Sequence, residues 1–124
     1  MKKTVPLKKN YEFMRVYKKG RFYVGRLLIL YVLPSRFNGL RLGITASKKV
    51  GKSVCRNRLK RLIRESYRFY EDFVNDGFDL VFVARNTDKL PDYHDVCREM
   101  KFLLKKMEVF DKEKWDCSKD SLSC

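Results

Sequence analysis

A single histidine and four cysteines serve the whole of this 124-residue chain, and that scarcity narrows its chemistry. Cys55, Cys97, Cys117 and Cys124 include no Cys-x-x-Cys pair, which argues against a zinc knuckle and against a disulfide framework. His94 has no second histidine and no evident nucleophile beside it, so its expected place is at the surface or in packing. No apolar run approaches the roughly 20 residues of a membrane-spanning helix. The longest, 27–33, is strand-sized and contains Tyr31. The opening Met1-Lys2-Lys3 leads into Thr4, Val5, Pro6 and more charge, so no secretory apolar segment develops and a cytoplasmic location is expected. Gly43 and Gly51 stand near lysines without forming a phosphate-loop pattern ahead of the next helix, which argues against a nucleoside triphosphate site. Asp72, Asp76 and Asp79 cluster loosely in a turn-like setting that suits capping and solubility better than a two-metal centre. No catalytic residue is expected in the protein itself.

What is abundant is positive charge. Lys and Arg number 29 against 15 Asp and Glu, a formal net charge of +14, which favours a phosphate-rich partner. Hydrophobic residues still make up 44% of the chain and aromatics 14%, enough to build a core and to argue against a disordered basic tail. The length fits one domain.

The periodicities predict the order of elements. Asn10 is a candidate cap for a helix to about Lys19, stopped by Gly20, with Phe13, Val16 and Tyr17 on related turns and Arg15, Lys18 and Lys19 outward. Tyr23 to Leu33 reads as a strand, with a short additional strand around Phe22 to Gly25 as an option. Pro34 and Asn38-Gly39 then mark a hairpin-like connection. In the next strand Leu42, Ile44 and Ala46 alternate with Arg41, Gly43, Thr45 and Ser47. Ser53 is placed to cap a long helix to about Asn75, ahead of a turn at Gly77. Phe78 to Ala84 reads as a strand, and Asp92 to about Met107 as a final helix with Val96, Met100, Leu103, Leu104 and Met107 inward. These elements make a single two-layer α+β domain, a mixed central sheet packed by helices in the order α-β-β-(β)-α-β-α, over 1–110. The extension 111–124, with Trp115, Cys117 and Cys124, is expected to be peripheral.

Two faces carry the functional expectation. On the long helix Leu59, Leu62, Ile63, Ser66, Tyr70 and Phe73 share one side, while Asn57, Arg61, Arg64 and Arg68 recur on the other. Lys52, Arg56, Arg58 and Lys60 add to the charge, Lys48 and Lys49 precede it, and Glu65 is the sole acid between Lys48 and Arg68. Guanidinium forks match paired phosphate oxygens, so this element is suited to docking on a nucleic-acid backbone. Asn57 can brace a turn or meet a base edge. The second face is aromatic: Phe13, Tyr17 and Tyr31 beside basic groups can stack unpaired bases. Phe13 and Tyr17 can equally form the buried stripe of a short helix.

These residues resemble the protein component of bacterial ribonuclease P. The resemblance lies in Leu7-Lys8-Lys9-Asn10 followed by Phe13, in Leu42-Gly43-Ile44-Thr45-Ala46-Ser47-Lys48-Lys49-Val50-Gly51, and in Arg56-Asn57-Arg58-Leu59-Lys60-Arg61-Leu62-Ile63-Arg64. It implies a fold whose basic helix lies in a left-handed βαβ crossover, against the usual hand of such connections. It implies a catalytic RNA subunit that removes the 5′ leader of precursor tRNA by Mg²⁺-assisted hydrolysis, with the protein supplying affinity and positioning. By the same resemblance Arg56, Asn57, Arg58, Lys60, Arg61, Arg64 and Arg68 lie near the catalytic RNA, and Phe13, Tyr17 and Tyr31 line the cleft for the unpaired leader. Tyr17 stands where a phenylalanine is common in relatives, keeps a stacking ring and adds a hydroxyl. No obligate homo-oligomer and no membrane partner are expected. The competing readings are a ribosomal or general structured-RNA-binding protein, a DNA-binding regulator, for which no dimerisation element is evident, and an autonomous ribonuclease.

Overall fold

The structure is a computed structural model that describes residues 4–35, 38–87 and 90–118. It contains a five-stranded sheet, order β1-β4-β5-β3-β2, formed by β1 (Thr4–Pro6), β2 (Arg21–Val24), β3 (Leu28–Pro34), β4 (Leu40–Ala46) and β5 (Phe78–Ala84). The helices are α1 (Asn10–Lys19), α2 (Ser53–Tyr70), α3 (Tyr93–Lys106) and α4 (Lys112–Ser118). The α+β class and the order of the main elements agree with the sequence reading, and the optional strand is present as β2.

Two strands expected to be neighbours are not. β3 and β4 do not form a hairpin: β5 lies between them, antiparallel to β3 and parallel to β4. Its sequence, Phe-Asp-Leu-Val-Phe-Val-Ala, explains the placement, because a strand apolar on both faces belongs in the middle of a sheet. The β4–α2–β5 crossover delivers it there. The single strand read from Tyr23 to Leu33 is broken at Gly25–Leu27, where Glu99 of α3 accepts the backbone N–H of Arg26 at 3.2 Å, of Leu27, and of Leu28 at 2.6 Å. A carboxylate satisfying those amides turns the chain back on itself.

Alternation along β5 divides the core. Leu80, Phe82 and Ala84 join Leu28, Leu30, Val32, Leu40 and Leu42 beneath α2 and α3. Val81 and Val83 face the other way, against Leu7, Phe13, Val16 and Tyr17. The helix α1 thus adds a partial layer on the face opposite α2 and α3. Helix ends also differ slightly from expectation. Lys9 rather than Asn10 caps α1, because Glu12 reaches back to the amides of Lys8 at 3.1 Å and Lys9 at 3.0 Å. Gly20 ends α1 by close approach: a Cβ there would lie 2.6 Å from the Val16 carbonyl oxygen and 2.8 Å from that of Val32. Lys52 rather than Ser53 caps α2, and α2 stops at Tyr70 rather than Asn75, passing through a tight turn at Glu71–Phe73. Val74 then bridges to Phe110.

The described part of the C-terminal extension is not peripheral. Trp115 on α4 is 8% exposed and packs edge-on against Phe73 at 5.2 Å and beside Phe110 at 5.7 Å between ring centroids. Lys101 lies over its ring at 4.4 Å. The extension folds back because the turn after α2 leaves an aromatic surface that water would otherwise meet. Cys124 lies outside the described residues.

Candidate RNA-binding faces

The groove between α1 and the sheet begins at β4. Gly43 has no side chain there, and the Phe13 ring fills the place: a Cβ on Gly43 would sit 2.3 Å from Phe13 Cε1. One turn on, Tyr17 meets Tyr31 of β3 edge-on at 4.9 Å, and its hydroxyl lies 3.4 Å from Thr45 Oγ1. Phe22 of β2, opposite Tyr31 in register, continues the row at 5.4 Å and is 58% exposed. Phe13, Tyr17 and Tyr31 are half-buried. Each therefore packs with part of its ring against the core and leaves the rest of the ring open to solvent. Phe22, Gly43 and Thr45 were missed by the sequence reading. Period-two counting back from Tyr31 lands on Tyr23, so the place of Phe22 beside Tyr31 follows only from the β2–β3 register.

An ion-pair network sets the position of α1. Asp79 on β5 is wholly buried, and its carboxylate takes Arg41 Nε at 2.8 Å, Arg41 Nη2 at 2.7 Å and Arg15 Nη2 at 2.9 Å. Arg41 also reaches Glu12 at 3.1 Å. Asp79, its strongest partner, holds the Arg41 guanidinium above its ordinary pKa. The backbone N–H groups of Lys9 and Lys8, with a smaller contribution from Arg41, hold Glu12 below the ordinary carboxylate value. Asp79 is thus no solubilising turn residue. Arg15, expected outward, bends in to meet it.

The second face is α2. Leu59, Ile63, Ser66, Tyr67 and Tyr70 are buried, and Thr4 of β1 bonds the Tyr67 hydroxyl at 2.9 Å. Burial pushes that phenol well above its ordinary pKa. The opposite side exposes Asn57, Arg58, Arg61, Arg64 and Arg68, with Arg56 and Lys60 half-buried. Among the described residues none of these makes an ion pair, and Arg56 donates only to Ser53 Oγ at 3.3 Å. Lys49 and Lys52 are exposed beside the start of α2, where Gly51 adopts φ +128°. The side chain of Lys48 lies outside the described residues. This charge is not consumed within the described fold, so docking on phosphate does not have to break internal pairs.

The other singled-out residues are structural or exposed. Cys97 is buried, with its Sγ 3.5 Å from Ser66 Oγ, while Cys55 is half-buried and Cys117 exposed. His94 is exposed at the start of α3. Among the described residues no group of three His, Cys, Asp or Glu side chains converges to hold a metal ion. No helix among the described residues is long and apolar enough to cross a membrane.

Fold and faces together are those of an RNA-binding protein, with a row of half-open aromatic rings on one side and an arginine-rich helix on the other. Comparison with known proteins narrows the class. The family model described as Ribonuclease P matches residues 1–108. The ribonuclease P protein component of Clostridium botulinum (strain Langeland) is 49% identical over 106 residues, spanning 85% of this chain and 96% of that protein. That of Alkaliphilus oremlandii is 46% identical over 111 residues, spanning 90% and 97%. Among solved structures, the Staphylococcus aureus RNase P protein superposes with a TM-score of 0.78 at 33% identity, covering 85% of this chain and 96% of that one. The Thermotoga maritima protein gives 0.72 at 29% identity, covering 82% and 96%. The chain belongs to the ribonuclease P protein family. It is the accessory, non-catalytic subunit of an RNA-based endonuclease and assists the catalytic RNA in removing the 5′ leader from precursor tRNA.

Proposed function

We propose that the protein carries out this role with a division of labour between its two faces: the α1 groove holds the unpaired 5′ leader, and α2 docks on the catalytic RNA. The observation that carries the reading is the row Phe13, Tyr17, Tyr31 and Phe22, half-open rings in one groove, on a molecule whose α2 arginines make no ion pairs among the described residues. Bases of any identity stack on such rings, which suits a leader whose sequence differs from one precursor to the next. Lys49, Lys52, Arg56, Arg58, Lys60, Arg61, Arg64 and Arg68, with the amide of Asn57, meet the second RNA. The work is done in the cytoplasm.

Magnesium held by the catalytic RNA supplies activation of water and stabilisation of charge on the scissile phosphate. The protein's residues act on binding. Its cations lower the repulsion between two polyanions, an effect that weakens as salt rises. Its aromatic groove selects precursor over product, because mature tRNA has lost the leader that fills it. Replacing Phe13 or Tyr17 with alanine removes a stacking surface worth about 1–3 kcal/mol per base. Precursor binding by the assembled holoenzyme is expected to weaken about tenfold while mature-tRNA binding stays unchanged. Equal losses for both would reject the groove as the leader site.

A further inference from the structure

On the other side of the β2 edge lies an open cavity of about 890 Å³, between the β2–β3 turn and the first turns of α3. We propose that this cavity is a second site for unpaired RNA, in which a base stacks on Phe102 while the flanking phosphates meet Arg26 and Lys106. Phe102 is 45% exposed, and Tyr23, 38% exposed, stands edge-on to it with ring centroids 5.8 Å apart. Lys106 lies over the Phe102 ring at 5.7 Å. The Arg26 guanidinium is exposed and makes no ion pair with a described residue. Arg85 is held pointing along the rim by its 2.5 Å bond to the Gly25 carbonyl.

The acids lining the cavity keep their charge but are fixed by hydrogen bonds, the arginines Arg26, Arg85 and Arg98 match them in number, and Lys106 at Phe102 adds a further cation. Glu99 spends its oxygens on the amides of Arg26, Leu27 and Leu28. Asp92 and Asp95 cap the α3 N-terminus by exchanging bonds with each other's backbone N–H at 2.8 and 3.2 Å, and Asp95 also takes Arg98 at 2.8 Å. Exposed aromatic rings between unpaired cations are the elements of a stacking platform for single-stranded nucleic acid. The site is also continuous with the leader groove. Phe22 and Tyr23 are successive residues of the edge strand, so they face opposite sides of the sheet, and a strand leaving the groove past Phe22 has only the β2 edge to round.

The unpaired nucleotides can come from the upstream part of a long leader or from the catalytic RNA, and the test separates the two. The protein carrying Phe102→Ala with Arg26→Ala, and Arg26→Ala alone as the milder variant, is titrated with catalytic RNA. The assembled holoenzyme then binds precursors with a leader ending at the groove or extended at its 5′ end by uridines. A loss of about fivefold or more, confined to the extended leader, supports the site and assigns it to the leader. A similar loss in catalytic-RNA affinity supports the site and assigns it there. Affinities within about twofold of wild type in both arms, with unchanged thermal unfolding, overturn the proposal. Phe22→Ala serves as the control for the groove: it weakens the short-leader precursor whether or not the second site exists, so failure of one reading does not mimic failure of the other.

Discussion

Replacing Asp79 with asparagine keeps the shape of a wholly buried side chain and removes the charge that holds Arg41 and Arg15. Breaking a buried pair by deleting one partner costs about 3–5 kcal/mol. Two features lower that figure here. The Arg41 side chain keeps 20% of its surface in water and retains Glu12 at 3.1 Å, and Arg15, at 46% exposed, contributes little through solvent screening. The expected loss is about 2–3 kcal/mol, or roughly 10 °C in Tm for a domain of this size. Thermal unfolding followed by circular dichroism measures it, and a double-mutant cycle with Arg41→Met isolates the pair. Function is affected through α1: the network joins α1 to β4 and β5, so the variant holoenzyme is expected to lose discrimination between precursor and mature tRNA more than affinity for the catalytic RNA. A Tm within about 2 °C of wild type together with unchanged discrimination would refute the claim that this network sets the groove.

Trp115→Ala opens a cavity beside Phe73 and Phe110 and is expected to cost about 3 kcal/mol, the low end for a buried aromatic because the ring sits at the rim of the core. Chemical denaturation reads this directly, and an unchanged midpoint would return α4 to the periphery. Glu12 gives a pH dependence. Its folded-state pKa is depressed, so its contribution is fully present above the unfolded value of about 4.3 and is lost as pH falls through the folded value. Acid unfolding of the Glu12→Gln variant is therefore expected to start from lower stability at neutral pH and to fall less steeply below about pH 4. Parallel curves for the two proteins would contradict this assignment.

The sequence made the helices legible because their signal is local. The apolar stripe of α2 and the density of arginine opposite it need no partner to be read, and α3 announces its start with Asp92 and Asp95. What was not legible depends on distant residues. The insertion of β5 between β3 and β4 follows from pairing across the whole chain. The break at Gly25 depends on Glu99, and β1 is a three-residue strand anchored through Thr4 to Tyr67. Trp115 looked like part of a polar tail because its partners, Phe73 and Phe110, meet only after folding. Asp79 looked like a turn acid because nothing local pairs it with Arg41 and Arg15. Of the groove residues, composition and periodicity favoured packing over stacking for Phe13 and Tyr17, and the family resemblance alone favoured stacking. The hand of the crossover likewise came from the resemblance.

The central claim is that the protein's contribution to leader removal is electrostatic and positional. It is tested most directly by titrating magnesium in a leader-removal assay with catalytic RNA alone, with the wild-type protein added, and with the Arg61→Ala/Arg64→Ala variant added. Wild-type protein is expected to sustain cleavage at magnesium concentrations where the RNA alone is nearly inactive, and the variant is expected to shift the requirement back toward that of the RNA alone. Superimposable magnesium curves for wild type and variant would contradict it, as would leader removal by the protein without RNA.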